Sequence, residues 1–272
     1  MSGNFCAESI KKYLHPEFDR LIFLDETDST NEFCKRKDLP DGSYVVAAAQ
    51  TGGKGRMGRR FESKEGGVFL SFRFSPKIPA DRLACITGMA AVAAARAIFE
   101  SAGERCAVKW VNDILLEGKK IGGILCETEF CGNMPAVVLG IGVNVNNPAK
   151  DFAWDAEKKA GSILTETGKS TDLSRFAAAL IERFELLRRH LENGNIAPYL
   201  EEYRRICITL GHEVTLLWRN GSREFSQSGE WSRGFAEEIS DTFGLIVEYP
   251  DGARQELFSG EVSVRGEDGK YK

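Results

Sequence analysis

The spacing of apolar residues predicts an α+β fold followed by a β-rich segment. Strand-like apolar runs lie at residues 21–25, 43–50, 67–74, 107–109, 113–117, 121–126 and 136–144. Helix-like apolar spacing covers about 81–102, 172–191 and 196–207. From Leu210 onward, short β-rich pieces alternate with turns. We therefore predict a boundary near Thr209, with a small all-β barrel over 210–272.

Polar and glycine residues mark the expected helix ends. Ser29 followed by Glu32 predicts a capping box and a helix over about 30–37. Asp81 is expected to cap the alanine-rich helix, and Gly103 to end it. Helix N-termini favour anions. The segment 28–31 is therefore either only a helix cap or a carboxylate site that uses the hydroxyl groups of Ser29 and Thr30.

Candidate chemistry is concentrated between Lys109 and Leu125. Two β-prone runs here are joined by a Gly-Lys-Lys turn, which predicts a hairpin. The polar side chains on this apolar segment are Lys109, Asn112, Asp113 and Lys120. Because buried charges cost roughly several kcal/mol unless paired, they need a partner or a ligand. An edge hairpin with solvated lysines is the alternative, but the two glycines after Lys120 would let a ligand approach the backbone.

A loop over residues 51–61 contains four glycines and four cations. It cannot form a core, and we expect it to be mobile without ligand. Its N–H groups and charges could wrap a polyanion. It is not a P-loop, because Arg59 and Arg60 replace the Lys-Ser/Thr pair. A flexible linker that contacts RNA nonspecifically is the alternative, although a single short copy in an acidic chain argues against it.

Composition narrows the functional classes. The net charge of −4 over 272 residues gives no nucleic-acid or membrane footprint. We expect no membrane span, since no apolar run reaches ~18 residues. No secretory signal is visible, and seven cysteines without framework spacing fit reduced thiols in a cytoplasmic protein. His15, His190 and His212 lie too far apart in sequence to suggest a metal site.

The strand over 136–144 ends in a polar sequence. Gly140 and Gly142 weakly resemble a dinucleotide fingerprint, but Val145 stands where the third glycine should be. Asn144 and Asn146 at the strand end suit hydrogen bonding to a base or an amide edge.

Taken in order, these stretches resemble the biotin protein ligases. The matching segments are residues 28–31, Gln50 with 53–61, 109–125, 140–146 and 260–263. Together they place roughly residues 21–265 within the family. The pattern Lys-Trp-x-Asn-Asp followed by Gly-Lys-Lys-x-x-Gly-Ile-Leu is highly specific. Three positions depart from the family: Lys54 replaces arginine, Phe61 tryptophan and Val111 proline. Nothing before Leu21 could form the helix-turn-helix domain of some members, so we expect no repressor role and no DNA partner.

The resemblance implies a mixed, largely antiparallel sheet with flanking helices, like a class II synthetase, over 1–209. It also implies that the segment over 210–272 is an SH3-like barrel. The implied reaction joins biotin to ATP, forming biotinyl-AMP and pyrophosphate, and then transfers biotin to a lysine of a biotin carboxyl carrier protein. Because the first step brings two anions together, catalysis must be mostly positioning and charge neutralisation.

The resemblance also implies roles for individual residues. Lys120 and Arg56 are the expected catalytic residues, and Asp113 is assigned to Mg²⁺. The expected biotin-binding residues are Ser29, Thr30, Asn31, Gln50, Gly53, Lys54, Gly55, Arg56, Lys120, Gly122 and Gly123. The expected ATP and adenylate residues are Lys54, Arg56, Arg59, Phe61, Asn112, Lys120 and Asn144.

Two other functions fit parts of the sequence. A lipoate or octanoate ligase shares the architecture and the carrier-lysine chemistry. A non-enzymatic RNA-binding protein would use the basic loop and the barrel, but would leave Lys109, Asn112, Asp113 and Lys120 unexplained. The barrel is either a stabilising cap or a docking surface for an acidic carrier, with Arg219, Arg223, Arg233 and Arg254 as its cations. A homodimer is left open.

Overall fold

The structure is a computed structural model, which describes residues 5–36, 39–131, 134–152, 159–217, 232–258 and 261–263. Its α-helices are α1 (Ala7–Lys11), α2 (Thr30–Arg36), α3 (Cys85–Ala102), α4 (Ile163–Thr167), α5 (Leu173–Glu192) and α6 (Ala197–Ile206). The strands of the first sheet are β1 (Leu21–Thr27), β2 (Ser43–Gln50), β3 (Gly67–Phe74), β4 (Ala107–Lys109), β5 (Asp113–Leu116), β6 (Lys119–Cys131) and β7 (Met134–Asn144). Those of the second are β8 (Glu213–Leu217), β9 (Ser232–Ile239), β10 (Leu245–Glu248), β11 (Arg254–Leu257) and β12 (Glu261–Ser263).

The first sheet has the strand order β1-β2-β3-β7-β6-β5-β4. β1 and β2 run parallel, and every other neighbouring pair is antiparallel. This confirms the predicted mixed, largely antiparallel sheet with flanking helices. Strands β2 and β3 are largely buried and rich in apolar, β-branched or aromatic residues.

One face of this sheet carries the main core. Alternate residues of each strand enter that core, for example Leu70 and Phe72 of β3 and Leu139 and Ile141 of β7. Helices α3, α5 and α6 supply the opposing apolar side chains. Because strand side chains alternate, the residues between them, such as Ser71, point to the other face.

The opposite face is only partly covered. Helix α2 packs there against β2, β3 and β7. A small apolar cluster of Cys34, Val45 and Val138 lies beneath it. Loop 51–66 crosses the rest of this face, so the polar side chains of the central strands are left beside a cavity.

The second sheet is antiparallel, with the order β11-β10-β9-β8-β12. It joins the first unit through the turn at Phe243, whose ring lies edge-on to Tyr203 and fills the space above Gly88. The Trp110 indole N–H also donates to the Phe243 carbonyl at 3.2 Å. The buried residues of the two sheets therefore form one continuous apolar cluster.

The closed SH3-like barrel and the boundary at 209 remain predictions. The expected turn at 219–221, the cations Arg219 and Arg223, the strand residue Trp218 and the motif residue Gly260 lie outside the described residues.

Two local predictions were wrong. Helix α3 begins at Cys85 rather than beside Asp81, because the chain first makes a 3₁₀ turn over Ala80–Arg82. Its end is as predicted, with Gly103 in the left-handed region. The hairpin turn is formed by Glu117 and Gly118, both at positive φ, so Lys119 and Lys120 belong to strand β6. This two-residue turn matches the twist of the flanking strands.

The capping box is also incomplete. The backbone N–H of Glu32 lies 3.5 Å from the Ser29 hydroxyl, at the limit of a hydrogen bond. The Glu32 carboxylate points away, toward Lys35 and Lys54. The helix nevertheless starts at Thr30, as predicted.

Helix α3 meets the length and composition of a membrane span, against the expectation that no segment would. Its 18 residues have a mean hydropathy of 1.3, and 67% of the helix is buried inside the protein. It packs against α5 and α6, in the manner of a core helix.

Candidate active site

A cavity lies between the open face of the first sheet, the N-terminus of α2 and loop 51–66. Most of the predicted site residues line it, although they are scattered over nearly a hundred positions in sequence. These lining residues are Ser29, Thr30, Asn31, Gln50, Lys54, Gly55, Arg56, Arg59, Phe61, Asn112, Asp113, Lys120 and Gly123.

A β-bulge places Lys120 in this cavity. Lys120 pairs with Leu115 and Gly122 pairs with Ile114, so Ile121 is the extra residue. Regular alternation would put Lys120 and Gly123 on opposite faces, but the bulge brings them to the same face. A Cβ atom at Gly123 would lie 3.6 Å from the Lys120 Nζ atom. Lys120 Nζ forms an ion pair with Asp113 Oδ1 at 2.6 Å.

Loop 51–66 folds over the sheet as an irregular hairpin. Gln50 bridges to Ser63, and Lys54 bridges to Arg60. The Phe61 N–H donates to the Gly53 carbonyl at 2.9 Å. These bonds hold the loop without regular strands, so the backbone can follow a curved path. The expectation that the loop orders only with ligand remains a prediction.

The Phe61 ring forms the contact between loop and sheet. It packs edge-on against Phe69, with ring centres 6.4 Å apart. A Cβ atom at Gly142 would lie 2.7 Å from the ring, which is too close for a side chain. Glycine at this position therefore creates the seat for Phe61.

The cations of the loop are held by groups on the sheet and on α2. The Arg56 guanidinium donates to Asn112 Oδ1 at 3.3 Å. Lys54 Nζ lies 2.9 Å from Glu32 Oε1. The hydrogen bond from Lys54 lowers the pKa of Glu32, so this carboxylate stays charged. Arg56 is thus fixed on the Lys120 side of the cavity, and Lys54 is fixed beside α2.

Uncharged hydrogen-bonding groups occupy the other end of the cavity. The Thr30 N–H donates to Gln50 Oε1 at 2.8 Å. Gln50 Nε2 donates in turn to the Ser63 hydroxyl at 2.9 Å. Ser29 and Thr30 are almost fully buried at the start of α2. The cavity is therefore cationic at one end and amide-like at the other, as an amphiphilic acid requires.

Three predicted residues do not line the cavity. Gly53 is packed inside the loop, where a Cβ atom would overlap the Phe61 carbonyl. Gly122 faces the core side, with a Cβ position 2.9 Å from the Gly142 carbonyl. The Asn144 amide donates to the Gly161 carbonyl at 3.0 Å. Since the Gly161 N–H donates to the Lys120 carbonyl, Asn144 supports the segment beside Lys120.

Sequence reasoning missed several residues of the site. Ser71 is fully buried in the middle of β3, and a hydroxyl in an otherwise apolar run was the available signal. Gly140 leaves room for the Asn31 amide, which a Cβ atom would overlap. Val262 of the second sheet also lines the cavity, and no local sequence pattern indicates this.

Asp113, which the resemblance assigns to Mg²⁺, lies beside Lys120. Mg²⁺ is usually held by one or two carboxylates together with phosphate oxygens. Among the described residues, Asp113 is the carboxylate on the cavity lining, and it already pairs with Lys120. The same residues contain no cluster of three His, Cys, Asp or Glu side chains that could hold a metal. The geometry fits a residue that orients Lys120, and Mg²⁺ would need the substrate phosphates for its other ligands.

The fold and the cavity together are those of a ligase. Residues 21–144 match the model of the biotin/lipoate A/B protein ligase family. A biotin–[acetyl-CoA-carboxylase] ligase of Paracoccus denitrificans is 31% identical over 89% of this chain and 100% of its own length. The bifunctional ligase/repressor BirA of Bacillus subtilis is 30% identical over 89% of this chain and 72% of its own length. The chain belongs to the biotin protein ligase family.

The solved structures agree with this assignment. The biotin protein ligase from Aquifex aeolicus, in complex with biotin and ATP, matches with a TM-score of 0.73 and 27% identity. The match covers 91% of this chain and 99% of that one. The fold on which the cavity is built is therefore that of a solved biotin protein ligase.

Proposed function

We propose that this protein joins biotin to ATP and then transfers biotin to a lysine of a carrier protein. The observation that carries the proposal is the bulged hairpin, which places Lys120 beside Asp113 beneath the cationic loop. Relatives of this chain are named biotin ligases, and a similar solved structure holds biotin and ATP. The lipoate alternative has no comparable support among these relatives.

The two ends of the cavity match the two ends of biotin. The ureido head carries two N–H donors and a carbonyl acceptor, and would meet Ser29, Thr30 and Gln50. The carboxylate would extend toward Lys120. The apolar part of the molecule would pass Gly123 and Ile124, which also line the cavity.

In the first step, a biotin carboxylate oxygen attacks the α-phosphorus of ATP. The new bond is between carboxylate oxygen and phosphorus, and the bond to pyrophosphate breaks. Lys120 would contact both anions. Two opposite unit charges ~4 Å apart gain ~4 kcal/mol at an effective dielectric of ~20, so each contact would offset the repulsion between the anions. Arg56, Arg59 and Lys54 would neutralise the phosphates, while Asn112 holds Arg56 in place.

In the second step, the ε-amine of a carrier lysine attacks the acyl carbon of biotinyl-AMP. The amide bond forms, AMP leaves with the former carboxylate oxygen, and the amine loses a proton. Phe61 would cover the adenylate until the carrier arrives. The location of Val262 on the cavity lining supports a role for the second sheet in this approach.

Mg²⁺ would accompany ATP and supply further charge neutralisation at the phosphates. Asp113 would be the carboxylate that holds it, and Asn112 would contribute an oxygen. Without the metal, Asp113 pairs with Lys120 and Asn112 accepts a hydrogen bond from Arg56.

The proposal is tested by pyrophosphate release from ATP with three acids in separate reactions. We expect release with biotin and not with lipoate or octanoate. When the reaction is run with radiolabelled biotin, adding a carrier domain to the enzyme that holds biotinyl-AMP should transfer the label to one lysine. Release with lipoate or octanoate but not with biotin would replace the proposed substrate, and release with none of the three acids would contradict the ligase function.

A further inference from the structure

A chain of polar side chains lies behind the head-group end of the cavity. It starts at the half-buried Glu127 and continues through buried residues. This residue is on the same face of β6 as Gly123 and Leu125. Asn31 Nδ2 lies 2.8 Å from Glu127 Oε2 and 3.3 Å from the Leu125 carbonyl oxygen. A backbone carbonyl and a charged carboxylate can only accept hydrogen bonds. The Asn31 amide must therefore turn its NH₂ group toward Glu127 and its oxygen toward β3.

This orientation fixes the next proton. Asn31 Oδ1 lies 2.5 Å from the Ser71 hydroxyl oxygen, and both groups are buried. An amide oxygen has no hydrogen, so the single hydroxyl proton of Ser71 must be donated to it. Ser71 Oγ then has only lone pairs to offer to its other neighbour, Thr30 Oγ1 at 2.7 Å.

Thr30 completes the chain. Its hydroxyl must donate to Ser71, so that proton cannot also serve Gln50 Oε1, 3.2 Å away. The Gln50 oxygen is instead satisfied by the Thr30 backbone N–H at 2.8 Å. Thr30 Oγ1 is thereby left as an acceptor on the cavity lining. An acceptor is the complement of a ureido N–H.

Surrounding contacts hold this chain in one arrangement. Lys35 Nζ lies 2.5 Å from Glu127 Oε1 and 3.2 Å from Glu32 Oε1. This pairing keeps the Glu127 carboxylate in place for Asn31. Gly140 allows the Asn31 amide to lie flat against β7, where a side chain would overlap it.

We infer that Glu127 is a positioning residue for biotin, which acts through Asn31 and Ser71 to make the Thr30 hydroxyl an acceptor for a head-group N–H. The inference rests on the proposed function. It concerns recognition of the head group alone, so Glu127 should affect biotin affinity and leave the ATP end of the cavity unchanged.

The test is Glu127→Gln in the full chain, with Glu129→Gln as the matched control. Glutamine has one acceptor oxygen, so it cannot accept from Asn31 and from Lys35 together. Its NH₂ group would turn a donor toward one of these two donors, which disrupts the chain. Glu129 lies two residues further along β6 and is exposed, so it undergoes the same charge change outside the chain. Calorimetric titration with biotin should show a Kd raised about tenfold for Glu127→Gln and less than about twofold for the control.

Two further measurements separate positioning from a loss of structure. At saturating biotin, kcat and the KM for ATP should stay within about twofold of the unchanged protein, while the KM for biotin rises. In a Ser71→Ala background, Glu127→Gln should add less than about twofold to the biotin Kd, because the chain is already cut.

A biotin Kd for Glu127→Gln equal to that of Glu129→Gln would overturn the inference, as would full additivity with Ser71→Ala. Equal losses in biotin and ATP parameters, with a lowered melting temperature, would also overturn it in favour of a structural role. Failure of the proposed function is distinguishable, because the unchanged protein would then bind no biotin in the same titration.

Discussion

Lys120 Nζ and Asp113 Oδ1 lie 2.6 Å apart across neighbouring strands of the first sheet. The pair exists because a bulge at Ile121 turns Lys120 to the face on which the cavity lies. The ammonium group is thereby held at one point before any substrate arrives. Electrostatic stabilisation is most effective when the charge is fixed in advance, and this pair provides that condition.

Replacing Asp113 with asparagine separates its two candidate roles. If the carboxylate orients Lys120, adenylation kcat should fall about tenfold, as a misplaced catalytic group does, with the Mg²⁺ dependence unchanged. The measurement is pyrophosphate release against Mg²⁺ concentration, with Glu117→Gln on the same hairpin as a charge-matched control. A large rise in the Mg²⁺ concentration needed for half-maximal rate would assign Asp113 to the metal instead.

Arg56 should govern retention of biotinyl-AMP. Its guanidinium bonds to Asn112, so Arg56→Gly should loosen the loop and remove the proposed phosphate contact. We expect the variant to release biotinyl-AMP and to biotinylate nearby amines on unrelated proteins. Arg82→Gly, an exposed cation outside the cavity, is the control. Labelling that stays confined to the carrier would contradict this role.

The same loop should respond to ligand. Trypsin cleavage after Arg56 or Arg59 should slow when biotin and ATP are both present, because the loop would then be held over the adenylate. Mass spectrometry of the fragments identifies the sites. Cleavage at equal rates with and without the two substrates would mean that the loop does not order on binding.

Gly142 should be intolerant of a side chain. A Cβ atom there would lie 2.7 Å from the Phe61 ring, so Gly142→Ala must displace the ring or strain the sheet. We expect a loss of about 1–3 kcal/mol in the free energy of unfolding, as overpacking causes. Adding Phe61→Leu should restore part of it. Gly123→Ala is the control for stability, since its nearest contact would be an ordinary 3.5 Å. Equal denaturation midpoints for the two alanine variants would refute the packing argument.

The second sheet can be tested for carrier docking without deleting it. Deletion of 210–272 would uncover Trp110 and Tyr203, which pack against the Phe243 turn, so both half-reactions would suffer. Arg233 is exposed on β9, and Arg233→Glu should slow transfer to an acidic carrier several-fold at low salt. Adenylate formation should be unaffected. Arg175→Glu on α5 is the control. Unchanged transfer in Arg233→Glu would favour a purely stabilising sheet.

The sequence predicts much of this fold because its strands are simple. The runs 43–50 and 67–74 match β2 and β3 to the residue, since a continuous apolar run between polar turns has few alternatives. Helix α3 was placed too early because Asp81 has cap chemistry, whereas the chain makes a 3₁₀ turn first. Local cap residues do not determine where the following chain can pack.

The site was harder to predict in the parts that depend on partner strands. The bulge at Ile121 arises from the register between β5 and β6, which no local pattern specifies. Gly140 and Gly142 suggested a nucleotide fingerprint, but they provide room for Asn31 and Phe61. Glu127 carries no motif, and its connection to Asn31 becomes visible only once β6 lies beside α2.

The central claim is tested most directly by the rate of biotinyl-AMP formation in Lys120→Ala and Lys119→Ala. Lys119 is the adjacent lysine and pairs with Glu166 outside the cavity, so it is a matched control. In single-turnover experiments, Lys120→Ala should lower the rate on the order of 10²–10³, as loss of one preorganised donor does. Lys119→Ala should stay close to the unchanged rate. Near-normal biotinyl-AMP formation by a folded Lys120→Ala protein would contradict the account.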